Sequence, residues 1–311
     1  MIAAIGAFDG FHRGHRSLLE IARERAASIG TTWGTVTFTR HPDALFSSLG
    51  FKSLFTSEEL LILEEYFDIP STRKIDFTRK IADMTPREFL DYISLEFGVR
   101  GVVVGEDFRF GRGRVGDKDT LRQECLGRGW ECDIVPTLFT GENTPVSSTE
   151  IRESVSEGDM PRARDMLGYP FFCLGRVVHG NERGRELGYP TANIDMNPLK
   201  VTSRRGVYAT VVRAMGNWYA GSANIGFNPT FTDVQGIRFE VNLIGFDGCL
   251  YDKRIAVFML EHIRDERRFD GPDSLKRQMA LDADSIEAIG QRELTVHSRL
   301  WKKWASILSV D

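Results

Sequence analysis

Along the first half of the chain, short continuous apolar runs alternate with stretches in which apolar residues recur every three to four positions. Ile2–Ile5, Trp33–Phe38, Gly101–Gly105 and Glu131–Val135 read as strands. Helix-period segments fall around Ser17–Ile29, from Thr56, from Thr85 to about Phe97, and near Asp119–Leu126. Two of these carry their own start signals. Thr56 and Glu59 have capping-box spacing, and Thr85, Pro86 and Glu88 combine a cap, a proline at the first helical position and a reciprocal acid. Gly101–Gly105 is apolar throughout, the pattern of a strand covered on both faces. Strand–helix alternation of this kind predicts an α/β domain around a parallel sheet.

After about Gly168 the period changes. Phe171–His179, Gly206–Ala214, Trp218–Ile225, Ile237–Phe246 and Arg254–Ile263 are β-rich, closely punctuated by glycine and proline, with no helical pattern between them. They predict a compact antiparallel barrel. Gly271 and Pro272 then open a helical tail containing Leu275, Met279 and Ile286. The junction lies near Met160–Pro170, dividing the chain into residues 1–165 and 166–311 without a low-complexity linker.

A length of 311 residues suits two domains, and 41% hydrophobic with 27% charged residues describes a folded chain. A net charge of -4 offers nucleic acid no bulk attraction. No apolar run approaches the roughly 18 residues that span a bilayer, and Met1–Gly6 lacks the basic lead of a signal peptide. Cys125, Cys132, Cys173 and Cys249 form no CxxC pair, which argues against a structural zinc site and a disulfide framework. The expectation is a cytoplasmic protein working on small molecules, monomeric or weakly homo-oligomeric, with neither nucleic acid nor membrane as partner.

The densest chemistry lies in Gly6-Ala7-Phe8-Asp9-Gly10-Phe11-His12-Arg13-Gly14-His15, between the first strand and the first helix. Open α/β sheets bind ligands at that rim, and a helix N-terminus presents unpaired N–H groups suited to phosphate. Gly14 lets backbone approach a ligand. His12 and His15, three apart, can face one side and donate to an α-phosphate as charge builds on it. The pair alone is weak evidence in a chain with six histidines. A zinc site is the other reading, but HxxH here lacks an adjacent glutamate and a third ligand.

The stretch resembles the GxFDGxHxGH signature of nucleotidyltransferases that move an adenylyl or cytidylyl group onto a phosphate acceptor. Thr37-Phe38-Thr39-Arg40-His41-Pro42 is similar to TFxPHP, with Arg40 at a usual proline. Val103–Gly111 is similar to VVGxDFRFG, and Val146–Arg152 to ISSTxIR. Together these motifs resemble the bacterial bifunctional riboflavin kinase/FAD synthetase family over the whole chain. The resemblance implies a Rossmann-like FMN adenylyltransferase domain followed by a flavokinase-like barrel with a helical tail. It implies that His12 and His15 are catalytic, and that Gly6, Phe8, Asp9, Gly14, Ser148, Thr149 and Arg152 bind ATP. Asp107, Phe108 and Phe110 are implied at the flavin. On their own, Ser147 and Glu150 read as an ordinary helix cap, Phe108 and Phe110 as core, and His41 as a residue without a visible partner.

The second half carries Gly175–Gly180 followed by Gly184-Arg185-Glu186-Leu187-Gly188-Tyr189-Pro190-Thr191-Ala192-Asn193, which resembles the flavokinase pattern GxVxHGxxxGRxLGxPTAN. A glycine-rich loop with a basic residue can cover phosphates; a turn-rich linker is the alternative reading of the glycines. The Thr191 hydroxyl and the Asn193 amide oxygen are hard ligands suited to Mg²⁺ held mainly by ATP. The resemblance implies that Gly184, Arg185, Gly188, Thr191 and Asn193 bind Mg-ATP, and that Glu240 takes the proton from the ribityl hydroxyl. Asn224–Phe231 resembles NIGxxPTF, and Ile263–Phe269 resembles IRxExxF. Three positions depart from the family pattern: Tyr169 replaces an arginine, Gly245 an aspartate and Asp252 a glycine. The implied reactions are phosphorylation of riboflavin to FMN and adenylyl transfer to FMN, giving FAD and pyrophosphate. Two rivals are a single-activity nucleotidyltransferase, which leaves PTAN and Glu240 unexplained, and a silent nucleotide-binding regulator.

Overall fold

The start signals read from the sequence hold in the computed structural model, which describes residues 1–46, 50–141, 143–179, 190–227 and 237–310. The chain runs through β1 (Ile2–Ile5), α1 (Arg13–Ser28), β2 (Trp33–Phe38), α2 (Pro42–Phe46), α3 (Ser57–Tyr66), β3 (Thr72–Ile75) and α4 (Arg79–Ala82). It continues through α5 (Pro86–Phe97), β4 (Gly101–Gly105), α6 (Lys118–Arg128), β5 (Glu131–Val135), α7 (Ser148–Glu157) and α8 (Met160–Leu167). Strands β6 (Phe172–Val178), β7 (Ala192–Asp195), β8 (Gly206–Ala214), β9 (Asn217–Phe227), β10 (Ile237–Leu243) and β11 (Arg254–Arg264) follow. Helices α9 (Pro272–Val296) and α10 (Ser298–Ile307) end the chain. Thr85 caps α5 through the Glu88 N–H while Glu88 accepts from Thr85, and Gly98 closes the helix in the left-handed region.

Met1–Leu54 and Leu63–Glu150 make one compact unit. Its five strands pair in parallel in the order β3-β2-β1-β4-β5. Ala3, Ile5, Val102 and Val104 point from the two central strands into one cluster with Phe89, Leu90 and Ile93 of α5 and Leu121 of α6. Ile2, Ala4 and Val103 alternate with them and are equally buried, and α1 packs along β1, β2 and β4. Both faces are covered, which is why these strands read as unbroken apolar runs.

Phe55–Ile62 and Ile151–Asp311 make the second unit. Six strands close a barrel in the order β10-β7-β6-β11-β8-β9, and every pairing within it is antiparallel. Trp301 and Trp304 of α10 pack edge-on against Phe258. Arg164 of α8 grips Glu293 of α9 through two bonds of 2.9 Å. Within this unit the Glu59 carboxylate is 0% exposed and accepts from the Lys200 Nζ at 2.6 Å, from the Leu174 N–H at 2.8 Å and from the Thr56 N–H at 2.7 Å. Lys200 Nζ also lies 4.3 Å from the Phe55 ring centroid and 4.7 Å from that of Phe171. The Thr56–Glu59 box is therefore more than a local cap, because its acid holds a buried lysine as well.

The structure refines the sequence reading in three places. Helix α1 begins at Arg13 rather than Ser17, because its N-cap is His12, a residue type that standard cap rules overlook. Neither β3 nor β7 is among the strands read from the sequence. Helix α8 occupies the start of the stretch in which the sequence places the junction. The family departures have local explanations. Tyr169 is 1% exposed and packs against Trp304. Gly245 and Asp252 both adopt left-handed backbone, with φ of 74° and 63°, a region that glycine and, less readily, aspartate tolerate. At these two positions this chain and the family use glycine and aspartate in opposite ways, and both types suit the turn.

The buried Glu59–Lys200 pair gives a direct stability test. Lys200→Met leaves an uncompensated carboxylate and is expected to cost about 3–5 kcal/mol, whereas the double variant Glu59→Met/Lys200→Met recovers most of that loss. Denaturant unfolding of both variants checks it; a single variant as stable as the parent contradicts it.

Candidate active sites

In the parallel sheet, β1 has β2 on one side and β4 on the other. The chain leaves β1 toward β2 and later returns to β4, so the loops after β1 and β4 diverge and open a crevice at the carboxyl rim. The loop at 6–12 lies on one side of it and the loop at 106–111 on the other.

The first loop is held in an unusual path. Phe8, Gly10 and Phe11 have φ of 49°, 96° and 40°, conformations that bulky residues adopt only when their surroundings impose them. Thr37 Oγ1 donates to the Ala7 carbonyl at 3.1 Å, and Ser148 Oγ donates to the Asp9 carbonyl at 2.8 Å. The Asp9 carboxylate, 3% exposed, accepts the Leu54 N–H on both oxygens at 3.0 Å. Phe8 stacks on Phe11 with centroids 5.3 Å apart and supports the His15 ring at 5.0 Å.

His12 caps α1: its Nδ1 accepts the His15 N–H at 3.2 Å. A neutral His12 must then carry its proton on Nε2, which makes that atom a donor. The His12 and His15 rings stack at 3.6 Å. A Cβ on Gly14 would meet the His12 ring at 3.2 Å and the Val146 carbonyl at 3.4 Å, so this glycine makes room for the His12 ring itself. His15 Nδ1 is buried and has no hydrogen-bond partner among the described residues. Burial, then the neighbouring charges of His12 and His41, hold the His15 pKa well below the ordinary imidazole value of 6.5. His41, partnerless in the sequence, thus belongs to the electrostatic surroundings of the pair; it stacks on Phe51 at 4.2 Å.

The other expected residues of this half separate into several roles. The side chains of Phe8 and Asp9 and the Ser148 hydroxyl are engaged within the protein and shape the loop. Gly6 adjoins the Phe8 ring. Thr149 is exposed at the start of α7, and Arg152 lies one turn further along that helix. Across the crevice Asp107 is exposed and Phe108 half-buried, whereas Phe110 is 6% exposed, packs on Phe89 and belongs to the core.

In the barrel, strand register brings the candidates together. Phe239, Val241 and Leu243 of β10 point inward, so Arg238, Glu240 and Asn242 point outward. Glu240 pairs with Asn193 of β7 on one side and Asn224 of β9 on the other. Residues directly opposed in antiparallel strands share a face with Cα atoms about 4.5–5.5 Å apart. The result is a polar row, Asn193–Glu240–Asn224, with Arg238 Nε 3.7 Å from the Glu240 carboxylate. Asn224 is a residue that sequence reasoning gave no role, since its place depends on a pairing register invisible in a single strand. Thr191 is half-buried just before β7. Gly184, Arg185 and Gly188 lie outside the described residues. The hydroxyl, amide and carboxylate oxygens on this face are a donor set that fits a Mg²⁺ ion whose remaining ligands are phosphate oxygens and water.

Comparison with known proteins converges on the same two halves. The family profile for FAD synthetase matches residues 1–150 and that for riboflavin kinase matches residues 167–289. The bifunctional riboflavin kinase/FMN adenylyltransferase of Listeria monocytogenes is 32% identical over 289 residues, covering 92% of this chain and 91% of that protein. Its namesake in Escherichia coli K12 is 36% identical over 287 residues, 90% of each. A solved structure from Streptococcus pneumoniae, described as a macrolide-efflux protein, aligns with a TM-score of 0.85 at 30% identity over 92% of this chain and 93% of that one. No helix among the described residues of this chain is long and apolar enough to cross a membrane. The chain belongs to the bifunctional riboflavin kinase/FMN adenylyltransferase family.

Proposed function

We propose that residues 166–311 phosphorylate riboflavin at the Asn193–Glu240 face, and that residues 1–165 transfer AMP to FMN at the His12–His15 loop. Family membership carries the two reactions, riboflavin to FMN and FMN to FAD. The observation that carries the assignment of sites is that each half assembles its own chemistry: a stacked imidazole pair at a sheet rim, and a carboxylate paired with an amide on a barrel face.

In the kinase half, Glu240 accepts the proton of the terminal ribityl hydroxyl as its oxygen attacks the γ-phosphorus and ADP leaves. Thr191 and Asn193 hold Mg²⁺, which neutralises phosphate charge when bound. Gly184, Arg185 and Gly188 cover the phosphates of this ATP. In the transferase half, an FMN phosphate oxygen attacks the α-phosphorus of a second ATP and pyrophosphate leaves. His12 and His15 donate N–H bonds to the α-phosphate oxygens, where negative charge grows, assisted by the N-termini of α1 and α7. Ser148, Thr149 and Arg152 orient the triphosphate, the first by fixing the Asp9 carbonyl. Asp107 and Phe108 face the flavin, and Phe110 supports Phe108 from beneath, the two rings stacked at 5.4 Å. The enzyme acts in the cytoplasm on small molecules, as a monomer or weak homo-oligomer, without a nucleic-acid partner. A single-activity transferase would leave the Glu240–Asn193 pairing without a task.

Chromatography of products from riboflavin and Mg-ATP separates the two centres. His15→Ala is expected to lower FAD formation by about 10²–10³ while FMN accumulates, and Glu240→Gln to stop FMN formation while supplied FMN is still adenylylated. Loss of both activities in either variant contradicts separate centres.

The depressed pKa of His15 also sets a sign. At neutral pH the ring is uncharged, and its folded-state contribution is complete above pH 6.5 and is lost as the pH falls further. An NMR titration should place its midpoint well below 6.5; a midpoint at or above that value contradicts the buried, neutral donor.

A further inference from the structure

Asn242 lies on the barrel face without a part in the proposed chemistry. Asn242 follows Glu240 by two residues on β10 and shares its outward direction. Its Nδ2 donates to the Pro190 carbonyl at 2.7 Å. Pro190 has no N–H, so this carbonyl is the only backbone hydrogen-bonding group it brings.

The bond matters because of where the ladder stops. β7 begins at Ala192, and its pairing with β10 joins Asn193 to Glu240 and Ala192 to Val241. Asn193 is held from the other side too, by Val178 of β6. Thr191 lies one residue before the strand, beyond those rungs. Since the peptide unit is planar, holding the Pro190 carbonyl also fixes the plane that carries the Thr191 nitrogen. The Asn242 amide thus adds a side-chain rung where the backbone rungs end. With the chain extended across that rung, Thr191 and Asn193 face the same way, beside Glu240.

We infer that Asn242 is a positioning residue of the kinase centre, acting through the Pro190–Thr191 peptide to hold the Thr191 hydroxyl in register with Asn193. This rests on the kinase reading given above. The consequence is selective: the Mg-ATP side of the reaction depends on Asn242, and neither riboflavin recognition nor the first unit does.

The test uses the full chain, with Asn242→Ala removing the amide and Asn242→Asp keeping its shape while turning an acceptor toward the carbonyl. Losing one such bond predicts that the Mg-ATP concentration for half-maximal FMN formation rises roughly three- to tenfold in both variants. The turnover number changes less than about twofold, the KM for riboflavin is unchanged, and adenylylation of supplied FMN by the same preparation is unchanged. An Mg-ATP requirement within about twofold of the parent in either variant overturns the inference, as does a parallel fall of both activities with a lowered Tm. A parent chain that forms no FMN strikes the kinase reading itself, whereas an active parent with unaffected variants strikes Asn242 alone.

Discussion

Backbone pairing does the positioning in this enzyme. Glu240 and Asn193 are far apart in the chain and become neighbours because β10 and β7 pair in one register. That register has a physical lock. Phe239, Val241 and Leu243 alternate with Arg238, Glu240 and Asn242, so a slip of one residue would put a carboxylate and a guanidinium inside the barrel and three apolar side chains outside. Burying an unpaired charge costs far more than a single misplaced contact, and the hydrophobic half of the strand thereby fixes the chemical half. The parallel sheet uses the same logic differently: β1, flanked by β2 and β4, forces its loop and that of β4 to part at one rim.

The two centres differ in how they prepare their electrostatics. The proposed transferase loop is pre-formed at a conformational cost, with two phenylalanines in left-handed backbone, offset by the Asp9–Leu54, Thr37–Ala7 and Ser148–Asp9 bonds. The product is a close imidazole pair in which burial keeps the His15 ring neutral. Donors that already point toward the developing charge need no reorganisation during reaction. The proposed kinase face is built on strands instead, with Asn193 and Glu240 half-buried, as would suit a Mg²⁺ ion whose other ligands are phosphate and water.

How far this was legible in the sequence follows from the range of each signal. Local signals held: the Thr85–Pro86–Glu88 cap, the apolar run Gly101–Gly105 and the β-rich second half all form the predicted elements. The HxGH and PTAN motifs point to the two proposed sites, and the packing reason for Gly14 came only from the His12 ring lying over it. Non-local facts were out of reach. Asn224 and Asn242 acquire meaning through register and through one bond to Pro190, and Glu59 through a lysine distant in the chain. Phe110 was ambiguous between core and ligand because a phenylalanine suits either, and its packing on Phe89 decided for core. The exchange of glycine and aspartate at positions 245 and 252 looked like a departure until both φ angles proved positive.

The claim beneath all of this is that one chain holds two nucleotide sites, one at the stacked imidazoles and one at the Glu240 row. A crystal structure of the full chain with Mg²⁺ and a non-hydrolysable ATP analogue tests it most directly. Triphosphate density is expected against the N-terminus of α1 and, separately, beside Thr191 and Asn193. Nucleotide at one of these places with the other empty at saturating ligand would contradict it.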